Sequence, residues 1–258
     1  MNILKSLGLF TLLGFVSVFS LALSGVSLLA SGFPAQFELS SLDGKNGFAL
    51  NGIANSGERV TSAGDVNGDG FQDFYVSDSS TSPNGSFSGQ VFVVFGTGQD
   101  FPAMFDLSAL DGTNGFALNG VRADDRLSIV SERPGDVNGD GINDLVVAAP
   151  QADPHGSASG QTYVVFGTSQ RFPAEFELTS LNGVNGFTVN GVEQFDLSGT
   201  DASIADDVNG DGIDDIIIVS FQGEAYVVFG SNQPLPSVIE LASLNGVNGF
   251  TIASAFAG

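Results

Sequence analysis

The chain has 258 residues, with 29 acidic side chains against 7 basic ones and a formal net charge of −22. That balance argues against nucleic-acid binding, because a phosphate backbone needs a basic footprint. There is no cysteine and a single histidine, which removes disulfide staples, thiol nucleophiles and nearly every His-dependent triad.

Residues 1–32 stand apart. Lys5 is their only charge, and residues 6–30 form an uncharged, mostly apolar stretch. This pattern predicts a secretory signal peptide or an uncleaved N-terminal membrane anchor, with Ala30-Ser31-Gly32 as a small-residue cleavage site. Both alternatives place residues 33–258 outside the cytoplasm, secreted or at the cell surface.

From residue 33 the chain repeats. An outer element at 33–48, which begins Phe33-Pro34-Ala35 and ends Asn46-Gly47-Phe48, returns at 101–116, at 172–187 and more loosely at 235–250. An apolar run ending in Phe-Gly occurs three times, with its Phe at Phe95, Phe166 and Phe229. The third element is an acidic nonapeptide. It reads Asp65-Val66-Asn67-Gly68-Asp69-Gly70-Phe71-Gln72-Asp73, then Asp136-Val137-Asn138-Gly139-Asp140-Gly141-Ile142-Asn143-Asp144, then Asp207-Val208-Asn209-Gly210-Asp211-Gly212-Ile213-Asp214-Asp215.

Oxygen-bearing side chains at positions 1, 3, 5 and 9, with Gly at 6, are what a short loop needs to wrap a hard cation. The expected ligands are Asp65, Asn67, Asp69, Asp73 and the carbonyl of Phe71, with Asp136, Asn138, Asp140, Asp144 and the carbonyl of Ile142 in the second copy. Asp207, Asn209, Asp211, Asp215 and the carbonyl of Ile213 form the third set. Calcium suits such loops because it accepts six to eight oxygens in loose geometry. About three ions per chain are expected, and Asn at position 3 lowers each site's charge and points to moderate affinity. A polar turn without metal is the plain alternative, but it does not need three carboxylates held close together. These are not EF-hands, since position 12 is Val76, Val147 or Ile218 instead of Glu.

Aromatic and β-branched runs follow each loop, as in Phe74-Tyr75-Val76 and Ile216-Ile217-Ile218, and predict buried strands. Each period then holds four short strands: one before the acid loop, one after it, the Phe-Gly run, and the segment around Asn-Gly-Phe. Four strands per period between Gly-rich turns predict an all-β fold of β-propeller blades. Of the aromatic residues 23 are Phe and 3 are Tyr, and most Phe recur at equivalent positions, which makes them inter-blade core.

With those motifs in view, residues 33–258 resemble the FG-GAP repeats of the integrin alpha-subunit propeller and its bacterial relatives. The resemblance rests on Asp-x-Asn-x-Asp-Gly-x-x-Asp followed by an apolar strand, and on Ala148-Ala149-Pro150 in the second repeat. It implies calcium in the loop between the first two strands of a blade and a binding surface on the opposite face. Val76-Ser77-Asp78 and Val219-Ser220-Phe221 depart from the family's Gly-Ala-Pro, and Asp206 stands where the first two repeats have Gly64 and Gly135.

No catalytic residue is expected. His155 occupies a turn position equivalent to Asn84, and Asp124, Asp125, Glu132, Glu193, Asp196 and Asp201 qualify as glycosidase-type carboxylates by expected exposure alone. Three blades leave open flanks. Closure would come from a longer reading frame, which is the favoured expectation, from further copies, or from exchange of the surplus outer element. The functional expectation is an extracellular calcium-binding propeller that acts in adhesion or binds a protein or glycan. The alternatives are a subunit that self-assembles into a ring or filament, and the non-catalytic part of a secreted hydrolase.

Overall fold

Short apolar runs bounded by Gly, Asn and Asp turns become strands throughout the computed structural model, which describes residues 38–52, 58–131 and 133–252. The expected signal or anchor at 1–32 lies outside the described residues. The strands are β1 (Ala49–Asn51), β2 (Arg59–Gly64), β3 (Asp73–Asp78), β4 (Gln90–Val94), β5 (Met104–Asp106), β6 (Gly115–Asn119), β7 (Ser128–Ile129), β8 (Leu145–Ala149), β9 (Gln161–Val165), β10 (Glu175–Glu177), β11 (Gly186–Asn190), β12 (Asp201–Ala205), β13 (Asp215–Val219), β14 (Ala225–Val228), β15 (Val238–Glu240) and β16 (Gly249–Ile252). Helix among the described residues is limited to four three-residue 3-10 turns, each just after the short strand or its equivalent in the outer element. The fold is all-β and propeller-like.

The chain divides into two units. In the smaller, residues 38–51 and 98–109, β1 pairs in parallel with β5. Phe48 stacks on Phe101 at 4.3 Å, and Asn51 Nδ2 donates to Asp106 Oδ2 at 3.2 Å. The fourth outer element, 235–250, was expected to be unpaired and available for exchange. The structure corrects this: its strands are paired within the chain, β15 in parallel with β11 and β16 antiparallel with β14, because each finds a free strand edge of the preceding period.

The larger unit, residues 52–97 and 110–252, holds three sheets. In the first, β2, β3, β4 and β6 pair antiparallel in that order, and β10 adds in parallel outside β6. The second repeats this with β7, β8, β9, β11 and β15. The third contains β12, β13, β14 and β16. The parallel fifth strand was not foreseen. Glu175-Phe176-Glu177 is too short to register as a strand by pattern, yet it staples consecutive periods. Phe172, just before it, stacks on Phe116 at 4.2 Å.

The middle sheet is buried on both faces, so β8 reads as an uninterrupted apolar run. Alternation still decides which neighbour each side chain meets. Leu145, Val147, Tyr163 and Val165 join Tyr75, Val91, Val93 and Phe116 of the first sheet in one core. Val146, Ala148, Val164 and Phe187 join Ile204, Ile216, Ile218 and Tyr226 of the third in another. The recurrent Phe residues are core, as expected.

Gly64 and Gly135 now have a physical reason. A Cβ on Gly135 would stand 2.4 Å from Ile204 Cγ2 and 2.6 Å from Asp214 Oδ2, and one on Gly64 would stand 2.4 Å from Asn143 Oδ1. The next sheet presses against these glycines. At the equivalent place in the third sheet Asp206 is largely exposed and pairs with Arg133 at 2.8 Å. No sheet packs there among the described residues, and no glycine is needed. Gly135→Ala is therefore expected to destabilise the protein by about 1–3 kcal/mol through overpacking, whereas Asp206→Ala costs less than about 1 kcal/mol, as for an exposed ion pair. Paired urea melts check this, and equal losses would contradict it.

Candidate metal centres

Each acid loop links the first two full strands of its sheet and folds around its own carboxylates. Asp136 at position 1 is the hub of the second loop. Its Oδ1 accepts the N–H of Gly139 (2.7 Å) and Asp140 (3.1 Å), and its Oδ2 accepts that of Gly141 (2.6 Å). Asn138 Oδ1 also accepts the Asp140 N–H (2.9 Å), and Asp140 Oδ1 accepts that of Ile142 (2.9 Å). These bonds draw the side-chain oxygens of positions 1 and 3 onto the amide of position 5, and that of position 5 onto the amide of position 7. Gly141 makes the turn with φ 87°, and a Cβ there would meet nothing within 4 Å, so conformation and not space requires glycine.

The first and third loops repeat this pattern. Gly70 and Gly212 donate to the position 1 carboxylates Asp65 and Asp207 at 2.8 Å, while Phe71 and Ile213 donate to Asp69 and Asp211 at 2.9 and 3.0 Å. The same ring of N–H bonds holds Asp207 below the usual carboxylate range.

Position 9 is different. Asp73, Asp144 and Asp215 are buried at the start of β3, β8 and β13. Each spans two backbone amides, one from position 2 of its loop and one from the glycine after the Phe-Gly phenylalanine. For Asp144 these are Val137 N–H to Oδ2 (2.7 Å) and Gly167 N–H to Oδ1 (2.8 Å). Asp73 accepts from Val66 and Gly96 at 2.9 and 2.7 Å, and Asp215 from Val208 and Gly230 at 2.9 Å each. That glycine recurs because the carbonyl of position 8 lies against it. A Cβ on Gly96, Gly167 or Gly230 would stand 2.3, 2.3 and 2.2 Å from the carbonyl oxygens of Gln72, Asn143 and Asp214. The Phe-Gly repetition was visible in the sequence, but this contact was not.

Burial raises the pKa of Asp73 to about 7 and that of Asp144 to about 8, with the carboxylates at positions 1 and 5 adding to the rise. Asp215 shifts the same way for the same leading reason. A folded-state pKa above the unfolded value near 4 means the metal-free protein gains stability from protonation. That gain is full below about pH 4 and is lost as pH rises through about 7 to 8. In chelator the melting temperature is expected to fall between pH 6 and pH 8.5, and a rise over that window would contradict the burial argument.

The donor set fits a hard cation. Each loop supplies three carboxylates and an amide oxygen within nine residues, and the position 9 carboxylate is buried and bonded to backbone amides. Among the described residues no three Asp, Glu, His or Cys side chains converge as a metal-holding group, and the loop carboxylates are bonded to backbone N–H groups.

One comparison bears on this architecture. Residues 131–165 match the family model for the FG-GAP repeat. The chain carries an FG-GAP repeat. No curated protein matches the sequence. The FG-GAP match spans the second acid loop, β8 and β9, so the hydrogen bonds of that loop belong to the FG-GAP unit; the loop at 207–215 reproduces them, and the loop at 65–73 reproduces them apart from the position 4 N–H bond.

Other candidates fall elsewhere. His155 Nε2 lies 2.7 Å from Glu240 Oε2, a contact between a turn and β15. Asp125 and Asp196, expected to be exposed, are buried, and burial raises both pKa values. They sit at equivalent turns whose flanking residues Asp124, Arg126, Phe195 and Leu197 take positive φ, which turns the intervening carboxylate inward. Glu132 lies outside the described residues.

Proposed function

We propose that this chain is a calcium-binding β-propeller module acting outside the cytoplasm, whose three sheets are blades and whose loops opposite the calcium sites bind an extracellular protein or glycan. The observation that carries it is the triple recurrence of one loop in which the position 1 carboxylate accepts the N–H groups of positions 5 and 6 and the position 9 carboxylate is buried. Asp65, Asn67, Asp69 and Asp73, with their counterparts in the other loops, would hold the ion. The ion would supply positive charge that cross-links two strands where a cysteine-free chain has no covalent staple.

The opposite ends of the strands support a binding role. There the β3–β4 and β8–β9 loops meet the turns after β6 and β11, as in Arg126 N–H to Phe87 O (3.0 Å) and Leu197 N–H to Ala158 O (2.9 Å). All six non-glycine residues with positive φ among the described residues lie in these turns. Backbone strain concentrated in one place is typical of recognition surfaces. Phe87 and Phe195 are exposed on these loops, as is Phe221, whose N–H donates to the Asp196 carbonyl, on the adjoining β13–β14 loop, and Arg126 stacks over Phe87 at 4.8 Å. Arrays of extracellular glycans and matrix proteins test the proposal. Binding that needs calcium and is lost in a Phe87→Ala, Phe195→Ala, Phe221→Ala variant supports it. Binding unaffected by both chelator and the variant contradicts it.

Self-assembly has one observation in its favour. Val66 and Val137 are fully buried beneath the next sheet, whereas Val208 is 50% exposed. Sedimentation in calcium and in chelator separates the readings, since a discrete calcium-dependent oligomer favours assembly and a monomer favours the binding module.

A further inference from the structure

The acid loops touch one another. Asn143, at position 8 of the second loop, reaches back to the first. Its Oδ1 accepts the Asp65 N–H at 2.9 Å, and its own N–H donates to the Asp65 carbonyl at 3.0 Å. Thr168 N–H adds a bond to the Val66 carbonyl at 2.9 Å. Asp214 repeats the arrangement between the third and second loops. Its Oδ2 accepts the Asp136 N–H at 2.9 Å, its N–H donates to the Asp136 carbonyl at 3.2 Å, and Ser231 N–H bonds the Val137 carbonyl at 2.9 Å.

We infer that the position 8 residue of the second and third loops, Asn143 and Asp214, is a positioning residue for the calcium site of the preceding loop, so that adjacent sites bind calcium cooperatively. The inference rests on the calcium proposal above. The path is short: position 8 is bonded directly to the backbone of position 1, the carboxylate that anchors the preceding loop. Position 8 is also covalently next to position 9, the buried carboxylate of its own site. An ion that fixes Asp215 therefore fixes Asp214, and with it the backbone of Asp136. The same holds for Asp144, Asn143 and Asp65. Coupling is reciprocal, so either site of a pair strengthens the other. Sites one and three share no such contact. Among the described residues the backbone N–H and carbonyl of Asp207 have no clamp of this kind, so the third loop is braced from one side only.

The test uses full-length chains with two working loops each, the remaining loop being disabled by Asp→Asn changes at positions 1 and 5. Calcium titration by calorimetry is expected to show cooperativity of about fivefold or more when loops one and two, or two and three, are intact. The pair of loops one and three should titrate independently. In the two-and-three chain Asp214→Ala is expected to abolish cooperativity, while Asp214→Asn, which keeps an acceptor oxygen, retains it. Amide exchange gives a second readout that needs no change at position 8. In a chain with only loop three working, calcium should slow exchange at Asp136 N–H and leave Asp65 N–H unchanged. Independent binding in all three pairs, or cooperativity that survives Asp214→Ala, overturns the inference and leaves calcium binding intact. No calcium uptake by any chain overturns both.

Discussion

Transfer of the full chain from about 2 mM calcium into chelator is expected to lower its melting temperature by about 10–20 °C. The size follows from mass action. Extracellular-type sites have dissociation constants of about 10⁻⁴ to 10⁻³ M. At the tighter end, about 2 mM calcium is twentyfold above it, and each filled site stabilises the folded state by about 1.8 kcal/mol. Three sites give about 5 kcal/mol, and a chain of this length moves by about 2–4 °C for each kcal/mol. A weaker metal-free state is expected on physical grounds. Position 9 carboxylates are buried beside two others per loop, and burial already lifts Asp73 and Asp144 to about 7 and 8. An ion removes that repulsion. Magnesium at the same concentration should give a smaller shift, since it demands a tighter octahedron than these loops offer. Identical melting in calcium and chelator would contradict the proposal.

Asp144→Ala is expected to be the most damaging single change, at about 3–5 kcal/mol, and to remain so in chelator. The carboxylate accepts from Val137 N–H and Gly167 N–H at 2.7 and 2.8 Å inside the protein. Its removal leaves two buried donors unpaired, at about 1–3 kcal/mol each, together with a small void between β8 and β9. Asp207→Ala is the contrast. Its partners are amides of an exposed loop, which water can satisfy, so only a small loss is expected in chelator and a larger one in calcium. Urea melts of both variants with and without calcium separate structural from metal-dependent contributions. Equal losses for the two in chelator would show that position 9 has no structural role of its own.

Much of the fold was legible because it repeats. The strands on either side of each acid loop, the Phe-Gly strand and the strand after Asn-Gly-Phe lie where the apolar runs placed them. The acid loops are also where the sequence put them, bent at the glycines of position 6. What the sequence concealed is contact between periods. Residues 175–177 give no strand signal of their own, yet they pair with β6 because a neighbouring edge is available. Position 8 varies as Gln72, Asn143 and Asp214, so it looks like a free position. Its bonds are to the previous loop, and no pattern within one period reveals them. Asp206 looked like an irregularity in the third repeat. It marks a place where nothing presses, and the glycines at 64 and 135 are the constrained ones.

Asp125 and Asp196 show the opposite error. Polar residues in a turn are ordinarily exposed, but here the positive-φ neighbours turn them under the loop. The exposed phenylalanines of that face are Phe87, Phe195 and Phe221; Phe87 and Phe195 do not recur one period away, where Ala158 and Asp124 stand.

Equilibrium dialysis of the full chain against about 2 mM calcium, with bound metal counted per polypeptide, tests the central claim most directly. Three ions per chain are expected, with dissociation constants of about 10⁻⁴ to 10⁻³ M and one ion lost for each loop disabled. A chain that retains no calcium under these conditions would contradict the account.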